Sequence, residues 1–211
     1  MSRLRYNRRA AVDHLRGQCA SLARFIDQQG PLKLEVVRQP DLFSALAQAI
    51  VYQQLSGKAA ATIYSRFSDL FAIRRPDAVN ASVLTLAQLR SVGLSQNKAL
   101  AIQDLARKSL DGSLASMRSI ARMSDTEVIQ NLVQVRGIGP WTAQMLLIFR
   151  LGRPDVMPAT DLGVQKGVQA VYGLKTLPQP EAVLRRTRHL APFRSAASWY
   201  FWRAADTALL S

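Results

Sequence analysis

Cysteine is almost absent from this sequence: Cys19 is the only one among 211 residues. A single thiol excludes a disulfide framework, a four-cysteine zinc site and a four-cysteine iron–sulfur cluster built from one chain. Acidic residues are scarce as well, because 14 Asp and Glu stand against 28 Lys and Arg and leave a formal net charge of +14. Such an excess either serves solubility alone or attracts a polyanion by counterion release, which makes nucleic acid the first partner to consider.

Long apolar runs are missing too. No uninterrupted apolar stretch approaches the roughly 20 residues of a membrane span, and no apolar segment of the kind a secretory signal needs follows the basic N-terminus. The sequence therefore predicts a protein of the reducing cytoplasm, associated with the nucleoid if bacterial, with no membrane partner and monomeric. Four arginines near the start predict either an arm that touches DNA or a solvated terminus: Arg3, Arg5, Arg8 and Arg9.

Patterns typical of β-strands are also hard to find, whereas apolar residues recur at helical spacing along most of the chain. Asp41, Ser95 and Ser124 stand where helix N-caps are expected, and Glu127 completes a capping-box spacing with Ser124. The pattern predicts an all-α protein, built as one domain or as two intertwined helical lobes. The predicted helices cover residues 10–28, 40–56, 58–71, 85–93, 95–112, 124–135, 140–150, a segment from 161, 179–191 and 193–210.

Glycine is sparse, with 11 in the chain, yet Gly137 and Gly139 both fall within LVQVRGIGPWTAQ at residues 132–144. Glycines permit backbone angles or close approaches that a Cβ atom would block, and Pro140 suits the first turn of a helix. The stretch therefore predicts a tight turn between two helices. Its unpaired amides would form an anion site, for which a DNA phosphate is the natural ligand on so basic a protein. A purely structural corner is the alternative.

A carboxylate follows this turn, 22 residues after Gly139. Asp161 comes after a proline-containing loop and opens a helix in DVMPATDLGVQKGV, where we expect Leu162, Val164 and Val168 to face inward. Asp is a favoured N-cap residue, so a plain cap is one interpretation. The other is a functional carboxylate, since a helix N-terminus favours negative charge.

Taken together, LVQVRGIGPWTAQMLL and the run P-x-x-D-L-G resemble the helix-hairpin-helix DNA glycosylase superfamily, and within it 3-methyladenine DNA glycosylase II of the AlkA type. Three further segments are similar to that family: ALAQAIVYQQLSGKAAATI, LRSVGLSQNKALAIQDLA and PFRSAASWYFW. The similarity spans roughly residues 36–205. It implies an all-α, two-lobed helix-hairpin-helix glycosylase fold with the active-site cleft between the lobes, formed by residues 1–211 as one unit with the hairpin at about 128–150. We expect no separate N-terminal β-domain, because only about 35 residues precede the similarity.

The resemblance implies a DNA glycosylase that acts on duplex DNA containing alkylated bases. An enzyme of this kind flips the damaged nucleotide out of the helix, and a carboxylate stabilises the sugar cation left when the base departs. By resemblance, Asp161 is that carboxylate. Bifunctional relatives carry a Schiff-base lysine where this sequence has Trp141, so we expect no β-lyase activity. A glycosylase for deaminated or oxidised bases and a non-catalytic DNA-binding module stay open as alternatives.

The family also implies how the base pocket is lined. Its residues would be Trp141, Trp202, Met145 and Leu162. Met145 and Leu162 stand where the family's best-known bacterial member has tyrosines, which affects the range of bases accepted. A tryptophan face attracts a cationic alkylated base, although either tryptophan is equally suited to core packing.

The resemblance places the remaining contacts with DNA at two turns. The gap left by the flipped base would be filled by Gln53 or Gln54, where the same bacterial member has a leucine. The residues at the phosphate would be Arg136, Gly137, Ile138 and Gly139. No cofactor is expected other than a structural Na⁺ or K⁺ at the hairpin, held by the backbone carbonyls of Val133, Val135 and Ile138.

Overall fold

The structure, a computed structural model, describes residues 4–37 and 41–208. All regular secondary structure in these residues is helical, which confirms the predicted all-α class. None of the helices within them is long and apolar enough to cross a membrane. The α-helices are α1 Arg8–Gln18, α2 Ala20–Gln29, α3 Leu42–Tyr52, α4 Gly57–Ser68, α5 Ala78–Ser82, α6 Leu86–Ser91, α7 Gln96–Leu110, α8 Met117–Ile120, α9 Asp125–Leu132, α10 Pro140–Phe149, α11 Leu162–Tyr172, α12 Pro180–Thr187 and α13 Arg194–Ala208.

The predicted helix caps are confirmed. The Asp41 carboxylate accepts a hydrogen bond from the Ser44 N–H at the start of α3. Before α9, the Ser124 hydroxyl accepts from the Glu127 N–H while the Glu127 carboxylate accepts from the Ser124 N–H, which completes a capping box. These side chains pair amide groups that have no partner within the helix.

One expectation about the helices was wrong, and two short helices were missed. The helix predicted over residues 10–28 is broken at Cys19, whose backbone is extended with φ −148° and ψ 107°. Its N–H still bonds to the Leu15 carbonyl at 3.2 Å, so apolar spacing continues across the break and hides it from a periodicity argument. The short helices α5 and α8 were not predicted, because five and four residues are too few to show a helical period.

The described residues fall into two compact units. The terminal unit takes its residues from Met1–Arg38 and Gln144–Ser211, and the central unit takes its residues from Gln39–Ala143. Helix α10 begins in the central unit and ends in the terminal unit.

The terminal unit is built around the contact of α11 with α13. The contact is close at Gly167, where an added Cβ would lie 1.9 Å from the Phe201 carbonyl oxygen. Tyr200 is fully buried, and its hydroxyl donates to the Gly30 carbonyl at 3.1 Å, which ties α13 to the end of α2. The absence of a side chain at residue 167 therefore sets the spacing of the two helices.

The arginine-rich start is bonded within the terminal unit. The Arg5 N–H donates to the Gly152 carbonyl at 3.0 Å, and the Arg8 guanidinium donates to the Leu34 carbonyl at 2.8 Å. Arg9 lies 4.0 Å from Asp13 on the exposed side of α1. Arg3 lies outside the described residues, and the predicted DNA-contacting arm stays a prediction.

The central unit packs α3, α5 and α6 against α7, the longest of its helices. Helix α7 also holds the turn between α9 and α10, where Gly137 has φ +77° and an added Cβ would lie 3.5 Å from the Ala101 Cβ. The Asp104 carboxylate accepts from the Arg136 N–H at 2.8 Å and from the Lys108 ammonium at 2.7 Å. The Lys108 ammonium also donates to the carbonyl of Gln134.

Through these bonds the partly buried Asp104 anchors the turn. Burial by itself would raise the pKa of Asp104, but the bonds from the Arg136 N–H and from the side chains of Lys108 and Arg107 outweigh burial and lower the pKa to about 2. The Asp104 side chain is 17% exposed, so solvent screens these interactions only partly.

The Gly167→Ala substitution should destabilise the fold. The new methyl group would overlap the Phe201 backbone and force α11 from α13, at an expected loss of about 3 kcal/mol or more in the free energy of unfolding. Urea denaturation followed by circular dichroism measures the change. Gly17→Ala is the matched control, because nothing lies within 4 Å of an added Cβ in that helical position and alanine favours helix. Equal stability of the two variants would contradict the proposed close contact.

The stabilisation by Asp104 should depend on pH. A carboxyl whose pKa is depressed in the folded state stabilises the fold above its unfolded pKa, near 4, and loses that effect as the pH falls towards 2. Asp104→Asn should therefore lower the free energy of unfolding by about 2 kcal/mol at pH 7, with the difference shrinking between pH 4 and pH 2. Asp69→Asn removes an exposed carboxylate paired with Arg74 and should change stability little. A deficit for Asp104→Asn that is as large at pH 2.5 as at pH 7 would show that charge is not its cause.

Candidate active site

Asp161 lies at the N-terminus of α11 in the terminal unit. One carboxylate oxygen, Oδ1, accepts from the Val164 N–H at 2.9 Å and from the Trp202 Nε1–H at 2.8 Å. The first bond is a helix N-cap, and the second reaches across to α13. The two interpretations of Asp161 are thus compatible, because the residue is an N-cap whose carboxylate also has a partner on another helix.

Gly163 makes room for the bond between Asp161 and Trp202. An added Cβ at this position would lie 2.8 Å from the Trp202 Cδ1 and 3.1 Å from the Asp161 Oδ1. The glycine of the D-L-G run is therefore required by packing at the carboxylate. Sequence reasoning used this glycine only as part of a resemblance and did not anticipate that role.

Trp202 is half-buried and is held by an aromatic neighbour as well as by Asp161. Its indole stacks on the Phe149 ring at a centroid distance of 5.5 Å with an interplanar angle of 29°. Phe149 was missed as a site residue. The signal was present, because Phe149 follows the predicted pocket residue Met145 by four positions on α10, and residues with that spacing share a helix face.

The expectation that Leu162 faces inward was wrong, since its side chain is 54% exposed. Val164 and Val168 are fully buried, as predicted. A residue two positions before Val164 lies about 200° round the helix, on the opposite face, and this geometry explains the difference. Exposure at the start of α11 leaves Leu162 free to contact a ligand.

The loop before Asp161 is fixed by α13. The Arg194 guanidinium makes two hydrogen bonds of 2.7 Å to the Asp155 carboxylate. Burial would raise the pKa of Asp155, but this guanidinium lowers it below its usual range. The Ser195 hydroxyl accepts from the Val156 N–H at 3.0 Å, and Gln165 donates to the Ala159 carbonyl at 3.0 Å. These supporting residues carry no sequence motif, and sequence reasoning missed them.

The hairpin lies in the central unit and joins α9 to α10. Gly137 needs its glycine for a left-handed backbone, whereas Gly139 has no positive φ and nothing within 4 Å of an added Cβ. The expectation that both glycines relieve a steric constraint therefore holds for Gly137 only. Gly139 instead leaves the backbone at the start of α10 uncovered. Arg136 is exposed, and its guanidinium donates to the Asn97 side chain at 3.3 Å.

The carbonyls predicted to bind a monovalent cation belong to the same turn. Val135 and Ile138 are buried, and the Val135 carbonyl accepts the Ile138 N–H at 3.0 Å. A carbonyl oxygen has a second lone pair, so this bond is compatible with a cation at the same atom. Neutral oxygen donors of this kind fit a hard monovalent ion. Among the described residues, no cluster of His, Cys, Asp and Glu has the arrangement of a metal site.

The structure brings some of the predicted site residues together within each unit. Asp161 and Trp202 are hydrogen-bonded in the terminal unit, which also contains Met145 and Leu162. In the central unit, the Gln53 amide donates to the Gly137 carbonyl at 2.9 Å. Trp141 also belongs to the central unit, on the first turn of α10, where its side chain is 43% exposed.

Several known proteins are similar to this chain in sequence and fold. Residues 47–193 match the HhH-GPD superfamily base excision DNA repair protein family. DNA-3-methyladenine glycosylase 1 of Schizosaccharomyces pombe is 32% identical over 188 residues, which cover 89% of this chain and 82% of that protein.

Solved structures agree with the sequence relatives. The S. pombe 3-methyladenine DNA glycosylase Mag1, solved in complex with abasic DNA, superposes with a TM-score of 0.84 at 32% identity, over 92% of this chain and 95% of that one. A DNA-3-methyladenine glycosidase from Bacillus halodurans gives a TM-score of 0.85 at 31% identity, over 95% and 91% of the two chains. The chain therefore belongs to the HhH-GPD superfamily of base excision DNA repair proteins.

Proposed function

We propose that this protein is a monofunctional DNA glycosylase of the 3-methyladenine DNA glycosylase II type, which hydrolyses the N-glycosidic bond of alkylated purines in duplex DNA. The substrates would include 3-methyladenine and 7-methylguanine. The observation that carries the proposal is the Asp161 carboxylate, held by hydrogen bonds from the Val164 N–H and the Trp202 indole at one oxygen. The names of its relatives support alkylated bases as the substrate class.

The proposed reaction begins with extrusion of the damaged nucleotide from the duplex, which costs about a few kcal/mol and less for a damaged pair. The bond from the sugar C1′ to the purine nitrogen then breaks, and its electrons leave with the base. The sugar develops positive charge, which the negative charge of Asp161 stabilises. Water adds to C1′ and loses a proton, leaving an abasic site. Since Oδ1 is fixed by two donors, the carboxylate is oriented before the substrate binds.

Aromatic rings at the proposed pocket suit an alkylated base. Alkylation at N3 or N7 of a purine leaves the base positively charged, and a tryptophan face attracts a cation by about 0.5–2 kcal/mol. Trp202 has its ring plane set by Phe149 and its N–H directed to Asp161. Met145 and the exposed Leu162 would line the pocket from the terminal unit. The role of Trp141, which belongs to the central unit, is proposed from the family resemblance alone.

The hairpin would grip the DNA backbone. The amides of Gly137 and Gly139 would bind a phosphate beside the N-terminus of α10, where the helix dipole favours an anion. The Ile138 N–H is already bonded to the Val135 carbonyl, so Ile138 would contribute only its place in the turn. Arg136 would add a positive charge, and the carbonyls of Val133, Val135 and Ile138 would hold a Na⁺ or K⁺ ion, which supplies positive charge at the phosphate when bound. The hydrolysis itself uses water as the second substrate and needs no organic cofactor.

Asp161→Asn should abolish most base release. Asparagine keeps an Oδ1 acceptor for Val164 and Trp202, so the fold should persist while the negative charge is lost. We expect base release from duplex DNA containing 7-methylguanine to fall by about 10²–10³-fold, measured as free base by chromatography. Asp77→Asn is the matched control, because Asp77 also caps a helix, α5, and lies outside the proposed site.

Two results would contradict the proposal. If Asp161→Asn releases base as fast as the wild type, the assigned mechanism is wrong. If the wild type binds DNA but releases no base from substrates with alkylated, deaminated or oxidised bases, the protein is a binding module. Release of deaminated or oxidised bases alone would replace the substrate class while keeping the glycosylase reaction.

The product should be an intact abasic strand. Trp141 offers no amine for a Schiff base at the position where bifunctional relatives carry lysine, so treatment with borohydride during turnover should trap no protein–DNA adduct. Denaturing gels of the trapped reaction measure this, with endonuclease III on its own substrate as the positive control. Strand cleavage without alkali, or a trapped adduct, would show lyase activity and overturn the monofunctional assignment.

A further inference from the structure

The turn after α3 has an unusual backbone. Gln53 ends the helix with φ −54° and ψ 133°, and Gln54 then has φ +56°. A left-handed conformation is unfavourable for a non-glycine residue and persists only where the surrounding structure holds it. The Gln54 side chain is exposed, whereas Gln53 is half-buried. Contacts with other parts of the chain must therefore hold this turn.

Lys98 on α7 is one such group. Its ammonium donates to the Val51 carbonyl at 2.7 Å and to the Gln53 carbonyl at 2.8 Å. The last carbonyls of a helix lack partners within the helix, and a cation is favoured at that end of the helix dipole. Lys98 thus anchors the peptide that leads directly into Gln54. It is the lysine of the segment LRSVGLSQNKALAIQDLA, and the proposed function gives it no role.

Gln53 supplies the second constraint. Its side-chain amide donates to the Gly137 carbonyl at 2.9 Å, in the hairpin proposed to bind phosphate. The side chain therefore spans from the turn to the hairpin within the central unit. To enter DNA, Gln53 would have to break this bond and leave the Gly137 carbonyl without that donor.

Helix α7 holds both segments at once. Lys98 bonds the turn, Ala101 faces Gly137, and Asp104 bonds the Arg136 N–H. These residues are spaced by three positions and lie along one side of the helix. The turn that ends in Gln54 and the hairpin are therefore fixed to one rigid element.

We propose that Lys98 is a positioning residue which, with Gln53, locks the turn after α3 against the hairpin, so that Gln54 alone fills the gap left by the flipped nucleotide. The inference rests on the proposed function. The Gln54 amide has donors and acceptors, so it can bond to the unpaired base on the opposite strand. The role proposed for Lys98 acts through the Val51 and Gln53 carbonyls and requires no contact with DNA or the reacting atoms.

The test uses a duplex with a tetrahydrofuran abasic analogue and 2-aminopurine opposite to it, whose fluorescence changes when a side chain disturbs its stacking. The readout is the fluorescence amplitude at saturating protein, which a simple loss of stability does not alter. Gln54→Gly keeps the left-handed backbone and removes the side chain. It should abolish the amplitude and weaken binding about tenfold. Gln53→Ala should keep most of the amplitude.

Lys98→Met should lower the amplitude at saturation by at least half, and Lys98→Arg should restore it, because a guanidinium can donate to both carbonyls. Lys175→Met, an exposed lysine in the terminal unit, is the control and should behave as the wild type. An amplitude lost in Gln53→Ala but kept in Gln54→Gly would reverse the assignment. An unchanged amplitude in Lys98→Met, with circular dichroism confirming the fold, would overturn the role of Lys98.

The binding assay needs no base release, so the two proposals fail separately. A wild-type protein that changes the fluorescence but releases no base contradicts the proposed function and leaves the gap-filling inference standing. A wild-type protein that releases base without changing the fluorescence contradicts the inference alone.

Discussion

The close contact of α11 with α13 is the constraint on which the candidate catalytic carboxylate depends. Because residue 167 has no side chain, the two helix backbones touch there, and Trp202 comes within 2.8 Å of Asp161. Gly163 keeps the same space open at the carboxylate itself. Arg194, at the start of α13, then holds the loop that precedes Asp161. A single helix thus fixes the carboxylate, its indole partner and the loop before it.

The central unit also fixes its loops from a single helix, but it does so through charged side chains and not through close packing of helix backbones. Its longest helix, α7, has 15 residues, as does α13. It holds its two loops through charged side chains bonded to backbone groups, with Lys98 on carbonyls and Asp104 on an amide. Hydrogen bonds that include a charged partner are about twice as strong as neutral ones. Glycines allow two helix backbones to pack directly against each other. Long or charged side chains are needed where a helix must hold a loop that lies farther away.

The sequence was sufficient to predict the parts of the fold that have local causes. Helix caps at Asp41 and Ser124 were correct because capping needs only a side chain and the next turn of backbone. The N-cap at Asp161 was predicted because the residue opens a helix after a proline-containing loop, whereas its catalytic role was predicted from the family resemblance. The break at Cys19 was missed, since the nearby Gly17 lies inside α1 and the apolar spacing continues through the break.

Long-range contacts were beyond the reach of the sequence pattern. The stacking of Phe149 on Trp202 joins residues 53 positions apart, and the bond from Lys98 to Gln53 joins residues 45 apart. Periodicity within one element carries no information about which face of another element it meets. Gln53 and Gln54 have different surroundings in the fold. Because those surroundings come from distant parts of the chain, the sequence pattern could not distinguish the roles of the two residues.

The left-handed backbone at residue 54 also restricts what evolution or design can place there. At φ +56° a side chain branched at Cβ is crowded by its own backbone, so valine, isoleucine and threonine are less favoured there, although Ile73 of this chain adopts φ +52°. Side chains unbranched at Cβ remain compatible, among them leucine, methionine, asparagine and glutamine. Variation at residue 54 is thus biased towards changes in length and polarity beyond the first carbon, and the backbone acts as a filter on the side chains that this turn can present.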